Sequence, residues 1–162
     1  MRKKVVGVIG GHTCMVGVEQ IAQELGKKLA KVVGILVCGG LSGTMKAVCQ
    51  GFSAGGGPAC GGKGRNGVTI GIIPSYDKND ANKYVDIVIP TGLGLARNVV
   101  VVKSADVVVA LPGEAGTLSE IAYCLQFGIP VISLGSWDIN GVIKLKTVDE
   151  AVEKVKEILK RS

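Results

Sequence analysis

The sequence predicts a single Rossmann-like α/β domain over residues 1–162, with a doubly wound, mostly parallel sheet and helices on both faces. Short runs that are almost continuously apolar alternate with segments of helical periodicity, which is typical of strands buried in a parallel sheet. A length of 162 residues is that of one domain. Several apolar runs end in glycine-rich turns or at proline, where strands of such a sheet give way to loops.

The first half of the chain alternates predicted strands and helices. The β-branched run Val5–Ile9 predicts the first strand. Apolar residues then recur at helical spacing from Val18 to Leu29, with Ile21 among them, and predict the first helix. A second strand, a second helix and a third strand are predicted over Val32–Val37, Met45–Phe52 and Val68–Ile73.

The segment Leu93–Lys103 admits two interpretations. Its four consecutive valines favour a strand. It lies, however, between two predicted buried strands, Val85–Ile89 and Val107–Leu111, and parallel neighbours need a crossover that is usually helical. We therefore predict a helix over this segment.

The last third of the chain predicts two helices around one strand. An apolar helix face is closed by Gly128 as its C-terminal cap, and the strand Val131–Leu134 follows it. Thr147 and Glu150 have the spacing of a capping box and predict the start of an amphipathic final helix.

The composition excludes several function classes. No apolar run approaches the roughly 18 residues of a membrane span, and the single histidine, His12, leaves no metal-ligand set. The net charge is +6, but the lysines are scattered without interleaved aromatics, which argues against nucleic acid and suits a small phosphorylated ligand. Five cysteines without a C-x-x-C pair predict reduced thiols and a cytoplasmic protein.

Glycine-rich turns follow three of the predicted strands. Glycine lets a backbone approach a ligand closely, and a helix that starts there presents free N–H groups to an anion. Because the carboxyl ends of parallel strands meet at one edge of a sheet, these turns together predict a phosphate-bearing ligand. None has the G-x-G-x-x-G or G-x-x-x-x-G-K-[ST] pattern of ordinary dinucleotide or P-loop sites. The turns span residues 10–13, 38–44 and 111–117.

A fourth cluster of glycines occupies residues 51–67 and joins a predicted helix to the next strand. Its composition indicates a flexible surface loop, and a lid over the ligand is the alternative.

Two motifs resemble those of the LOG ("Lonely Guy") superfamily. Residues 112–120 are similar to its P-G-G-x-G-T-x-x-E motif, and residues 39–45 to its G-G-x-x-G-x-M motif. Segments 67–74, 91–98 and 104–106 are similar to the branch that includes molybdenum-cofactor carrier proteins. The resemblance covers roughly residues 5–134 and implies a nucleotide-binding Rossmann-like fold.

The resemblance implies two functions of different classes. One is a carrier that binds a pterin phosphate such as molybdopterin without turnover. The other is a phosphoribohydrolase that cleaves an AMP-like nucleoside 5′-monophosphate into free base and ribose 5-phosphate, and nucleotide sensing is a third. It also implies a homodimer or homotetramer. We expect that no cofactor is required. Nothing marks a Schiff-base lysine, so we expect no lysine decarboxylase.

The resemblance implies catalytic roles for Arg97, which would hold a phosphate by bidentate contact, and Glu120, which would activate water. Plainer interpretations remain open: Arg97 as an exposed helix residue, and Glu120 as the partner of Thr117 in a capping box. The predicted ligand-binding residues are Gly10, Gly11, Gly39, Gly40, Ser42, Gly43, Thr44, Met45, Arg97, Asn98, Pro112, Gly113, Ala115, Gly116, Thr117 and Glu120.

Two positions depart from the superfamily pattern. Asn98 stands where the hydrolases carry lysine, which favours binding over catalysis, and it could contact a ligand or cap a turn. Glu114 replaces the second glycine of the phosphate motif, where a carboxylate would repel phosphate unless it points away. His12 follows the first strand as a turn residue or as an acid or base.

Overall fold

The computed structural model describes residues 2–55 and 67–161, and within these the chain forms one seven-stranded sheet in which every pairing is parallel. The order is β4-β3-β2-β1-β5-β6-β7, which confirms the predicted doubly wound α/β fold. The strands are β1 Val5–Ile9, β2 Ile35–Cys38, β3 Val68–Ile73, β4 Ile87–Pro90, β5 Val107–Ala110, β6 Val131–Leu134 and β7 Ile143–Leu145.

Helices cover both faces of the sheet. One core contains side chains of α1, α2 and α5, and the other those of α3 and α4. In β5, Val107 and Val109 belong to the first core and Val108 and Ala110 to the second, as the alternation of a strand requires. The described helices are α1 Val18–Leu29, α2 Thr44–Ala54, α3 Arg97–Lys103, α4 Ala115–Phe127 and α5 Val148–Arg161.

The sheet has its topological switch at β1. Val6 of β1 pairs with Leu36 on one side and with Val107 on the other. Strands β2, β3 and β4 are therefore added in order on one side of β1. The chain then returns, and β5 pairs with the other side of β1. The helices that follow β1 and β5, α1 and α4, pack on opposite faces of the sheet, and such a switch point leaves a crevice at the carboxyl edge.

The ambiguous segment Leu93–Lys103 is helical, as predicted. It forms a 3₁₀ turn over Gly94–Ala96 and continues as α3, which buries Val101 and Val102 in the second core. The valines therefore serve helix packing in a crossover, where tertiary context overrides their strand propensity.

Four details of the predicted elements were wrong. The strand predicted as buried over Val85–Ile89 runs from Ile87 to Pro90 and lies at the edge of the sheet, where Ile87 and Ile89 are partly exposed. The second strand starts at Ile35, because Val32 and Val33 donate their amides to the Leu29 carbonyl oxygen in the turn that ends α1. Ile21 is 39% exposed rather than part of the buried face of α1. Strand β7 was not predicted, since an edge strand of three residues gives little periodic signal.

The capping box of the last helix is confirmed. The Glu150 amide donates to Thr147 Oγ1 at 3.2 Å, and the Thr147 amide donates to Glu150 Oε2 at 3.0 Å. Gly128 is likewise the left-handed cap of α4, with φ 67°. No helix in the described ranges is long and apolar enough to cross a membrane.

Most of the fourth glycine cluster, and with it the choice between loop and lid, lies outside the described residues. Its first glycine, Gly51, has a packing role together with Gly26 of α1. A Cβ on Gly51 would lie 2.0 Å from the Gln23 carbonyl oxygen, and one on Gly26 would lie 2.2 Å from that of Val48. Helices α1 and α2 therefore cross at backbone contact distance, which only glycine permits there.

Candidate ligand-binding site

A cavity of about 810 Å³ opens at the carboxyl edge of the sheet, beside the switch between β1 and β5. Its size falls within the range of small-molecule sites. Each of the three predicted glycine-rich turns contributes to its wall. The predicted residues that line it are Gly10, Gly11, Gly39, Met45, Arg97, Asn98, Pro112, Gly113, Gly116, Thr117 and Glu120.

Backbone hydrogen bonds tie the three turns together. The Gly11 amide donates to the Pro112 carbonyl oxygen at 2.9 Å, and the Thr44 amide donates to that of Gly11 at 3.0 Å. A Cβ on Gly113 would lie 2.1 Å from Thr117 Oγ1, so glycine is required where the β5 turn meets α4. In these turns the wall consists of backbone atoms. The absence of side chains at the glycines leaves room for a ligand close to the start of α4.

The remaining predicted residues do not line the cavity and instead support the turns. A Cβ on Gly43, whose φ is 62°, would lie 2.2 Å from the His12 carbonyl oxygen. The Ser42 hydroxyl donates to the same oxygen at 3.0 Å, and His12 itself lines the cavity. The predicted residues outside the wall are Gly40, Ser42, Gly43, Thr44 and, as the first residue of α4, Ala115.

Arg97 is only 7% exposed, so the interpretation of an exposed helix residue was wrong. Its guanidinium donates to the Asn98 side-chain oxygen and, at 3.4 Å, to the Gly39 carbonyl oxygen. Arg97 Nε has no hydrogen-bond partner among the described residues. Burial lowers the pKa of the guanidinium, against the opposing charge of Glu120. A buried cation with an unused donor at a cavity wall is suited to an anion.

Glu120 is 6% exposed, and its role as a helix cap was also wrong. Helix α4 starts at Ala115, its N-cap is Glu114, and no side chain in the described part of the chain caps it. Thr117 therefore lies inside the first turn and Glu120 in the second. Burial raises the pKa of the Glu120 carboxyl to about 7, and the positive charge of Arg97 opposes that rise. Near neutral pH this carboxyl can both accept and release a proton.

The buried carboxyl of Glu120 should make stability depend on pH. Its pKa is about 7 in the folded state against 4.5 when solvated, so the native state holds the proton more tightly between these values. Its contribution is complete below pH 4.5 and is lost as pH rises through 7. Between pH 5 and 8 we expect the free energy of unfolding of the unmodified protein to fall by about 2–3 kcal/mol more than that of Glu120→Gln. Urea unfolding at each pH measures the difference. Parallel pH profiles for both proteins would contradict the assignment.

Asn98 is used to fix the position of its neighbours. Its side-chain oxygen accepts from Arg97, and its Nδ2 donates to Ser119 Oγ at 3.0 Å and to the Gly116 carbonyl oxygen at 3.5 Å. It thereby joins the start of α3 to the first turns of α4. The residue that stands in place of the hydrolase lysine supplies no charge, and it orients the guanidinium instead.

Sequence reasoning missed one whole wall of the cavity. The turn after β6 contributes Gly135, Ser136 and Trp137, and Met15 and Leu95 add apolar side chains at the rim. Trp137, the only tryptophan of the chain, was a usable signal because it follows a predicted strand end by three residues. No group of three or more His, Cys, Asp or Glu side chains in residues 2–55 and 67–161 could hold a metal ion.

Glu114 also lines the cavity, and its backbone explains why the motif glycine can be replaced. Its φ of −92° and ψ of −153° are extended values that any residue adopts. Glycine is therefore not required at this position by conformation.

Comparison with known proteins gives a consistent result. A family model described as the SLOG cluster4 family matches residues 3–160. The fold is similar to the molybdenum cofactor binding protein from the phototrophic bacterium Rippkaea orientalis, with a TM-score of 0.86 and 34% identity over 98% of this chain and 99% of that one. It is also similar to the Moco carrier protein from Chlamydomonas reinhardtii, with a TM-score of 0.85 and 32% identity over 99% and 100% of the two chains.

A sequence relative from Oryza sativa subsp. japonica is named as a probable cytokinin riboside 5′-monophosphate phosphoribohydrolase. It is 32% identical over 139 residues, which is 81% of this chain and 57% of that protein.

Proposed function

The chain belongs to the SLOG cluster4 family, and from this premise we propose that it binds a phosphorylated, nucleotide-like ligand and carries a pterin phosphate such as molybdenum cofactor. Membership confirms the resemblance to the LOG superfamily close to its carrier branch.

The proposal depends on one observation: buried Arg97 lies at a cavity wall that also holds the start of α4, and its Nε has no hydrogen-bond partner within residues 2–55 and 67–161. The first amides of a helix have no carbonyl partner within the helix, and the helix dipole favours an anion there. Thr117 adds a hydroxyl to the same wall, and Gly113 leaves the space in front of it open. A phosphate at this place would receive backbone, hydroxyl and guanidinium donors together.

Carriage is tested by mixing the purified protein with molybdenum cofactor released from a molybdoenzyme and separating bound from free cofactor by gel filtration. We expect molybdenum and the pterin to elute with the protein at about one equivalent per chain when the cofactor is in excess. Elution of both only in the small-molecule fraction would overturn the carrier proposal.

Hydrolysis is the second candidate, because the carboxyl of Glu120 is buried at the cavity with a pKa of about 7. In that reaction water would add its oxygen to C1′ of the ribose while the N-glycosidic bond breaks. Glu120 would accept one proton of the water and then donate it to the departing base, which leaves the carboxylate as it began. The neutral Asn98 beside Arg97 provides less positive charge than the lysine of the hydrolase pattern, which favours carriage.

The two candidates are separated by incubating the protein with AMP and with cytokinin riboside monophosphates and measuring free base by chromatography. Under the carrier proposal we expect no more base than a Glu120→Ala control releases. Base released by the unmodified protein alone would establish turnover and reverse the order of the two candidates.

The proposal includes assembly as a homodimer or homotetramer. Strand β4 is an edge strand whose Ile87 and Ile89 are 49% and 42% exposed, with Tyr76 and Leu93 also exposed. An apolar sheet edge open to solvent is costly and prone to association, so a partner surface would stabilise it. We expect light scattering to give a multiple of the 16.6 kDa chain mass, and a monomeric mass would contradict this part.

We also propose that the protein resides in the cytoplasm. The cysteines in the described part of the chain, Cys14, Cys38, Cys49 and Cys124, are free thiols. Cytosolic reductants maintain thiols in that state.

A further inference from the structure

The turn after β6 forms one wall of the cavity, and this turn lies outside both superfamily motifs. Gly135, with φ 72°, turns the chain at the end of the strand, and Ser136 and Trp137 follow it along the wall. Trp137 is 40% exposed even though its indole is the largest apolar surface of a side chain in the protein. An exposed indole at a cavity wall is available to a ligand.

The indole is held in place by the loop of the proposed anion site. Trp137 Nε1 donates to the Gly113 carbonyl oxygen at 3.0 Å. Gly113 belongs to the β5 turn, whose Pro112 carbonyl oxygen in turn accepts from Gly11. The one polar group of the indole is therefore satisfied, and its ring is fixed beside the loop that precedes α4. Such prior ordering lowers the entropic cost of stacking a ligand on the ring.

Ser136 adds a polar group beside this aromatic surface. Its hydroxyl is buried and has no hydrogen-bond partner among the described residues, while its amide donates to Ser133 Oγ at 3.2 Å. Buried hydroxyls without a partner are uncommon, and this one lies in a residue of the cavity wall. A flat ring that covers the indole could present a ring nitrogen or an exocyclic oxygen to it.

We propose that Trp137 and Ser136 form a ring-binding subsite for a planar, fused nitrogen heterocycle carried by the phosphorylated ligand. The indole stacks on the ring, and the Ser136 hydroxyl bonds to its polar edge. This subsite rests on the proposed function and deepens it. The glycine-rich turns would bind the phosphate of any such ligand, whereas the turn after β6 would select the ring attached to that phosphate.

The subsite is tested with probes that share a phosphate and differ in the ring. Binding of AMP, of molybdenum cofactor and of ribose 5-phosphate is measured by calorimetry for the unmodified protein and for Trp137→Ala. We expect Trp137→Ala to weaken the two ring-bearing ligands by about tenfold to a hundredfold and to leave ribose 5-phosphate unchanged. Trp137→Phe, which keeps an aromatic surface, should recover most of the affinity for the ring-bearing ligands.

Phe127→Ala is the matched control. Phe127 is also 40% exposed but lies outside the cavity wall, so its removal should change no affinity. Thermal unfolding of each variant checks that it is folded. Because Trp137 is the only tryptophan, its emission should change when a ring-bearing ligand binds and stay constant with ribose 5-phosphate.

Three results would overturn the subsite, and they differ in what they say about the proposed function. Equal losses for the ring-bearing ligands and for ribose 5-phosphate would show that the indole acts only through the Gly113 loop. Undiminished binding of the ring-bearing ligands to Trp137→Ala would remove the subsite and leave the proposed function standing. Failure of the unmodified protein to bind any of the three probes would overturn both.

Discussion

Replacing Arg97 by methionine is expected to weaken the binding of a phosphorylated ligand by about a hundredfold or more. The guanidinium is buried at the cavity wall, and its Nε is unpaired among the described residues, so a phosphate there would gain a charge-assisted hydrogen bond with little competition from water. Methionine keeps the length of the side chain and removes every donor. The affinity for AMP, molybdenum cofactor and ribose 5-phosphate, measured by calorimetry, should fall together.

The Arg97→Met variant is also expected to fold. Without the guanidinium, the pKa of the Glu120 carboxyl should rise beyond about 7, because the positive charge that opposes the effect of burial is gone. The carboxyl is then protonated at neutral pH and leaves no buried charge. Arg161→Met, an exposed change at the end of α5, serves as the control for loss of one positive charge. Affinities equal to those of the unmodified protein would show that Arg97 does not hold the phosphate.

Replacing Gly43 by alanine is expected to destabilise the protein by about 3 kcal/mol or more. Its φ of 62° with ψ −130° is a conformation that residues with a Cβ rarely adopt, and the added methyl would lie 2.2 Å from the His12 carbonyl oxygen. The His12 carbonyl oxygen belongs to backbone that is held in place, because it accepts from the Ser42 hydroxyl and the neighbouring Gly11 carbonyl oxygen accepts from the Thr44 amide. For a domain of this length we expect the melting temperature to fall by roughly 6–12 °C, measured by calorimetric unfolding.

Gly116→Ala is the matched control for that loss. Gly116 lies in the first turn of α4, and apart from its own helix no atom of the described residues lies within 4 Å of a Cβ placed on it. Alanine is favoured over glycine in a helix by about 0.5–1 kcal/mol, so the melting temperature should stay the same or rise slightly. A Gly43→Ala variant as stable as Gly116→Ala would mean that the turn before α2 adapts to a side chain.

The sequence was sufficient for the parts of the fold with strong periodicity. Runs such as Val68–Ile73 and Val131–Leu134 match their strands to the residue, because both faces of a parallel strand are buried and leave an uninterrupted apolar pattern. Strand β7 could not be found in this way, since Lys144 interrupts it and its position at the edge of the sheet leaves its side chains partly exposed. The crossover helix α3 was predicted from topology and against the propensity of its valines.

The part of the candidate site that backbone atoms form, at the glycine-rich turns, was predictable from the sequence. Glycine turns at strand ends indicate an anion site without knowledge of any side-chain contact, and the turns do meet at one cavity. The burial of Arg97 and Glu120 was not predictable, because it depends on how α3 and α4 pack against each other. The part played by Trp137 was missed for a similar reason: its hydrogen bond to Gly113 joins two turns that are far apart in the chain.

The position of β1 at the centre of the sheet has a consequence for how the protein acquires its site. Residue 6 pairs with residue 107, so the loops after β1 and β5 meet only after a long stretch of chain has been enclosed. Closing such a loop costs entropy and makes non-local pairing a late and slow event in folding. During synthesis, the cavity cannot be complete before the turn at 135–137 has left the ribosome. A ligand that bridges these loops can bind only the native state. It should therefore stabilise the whole domain against global unfolding.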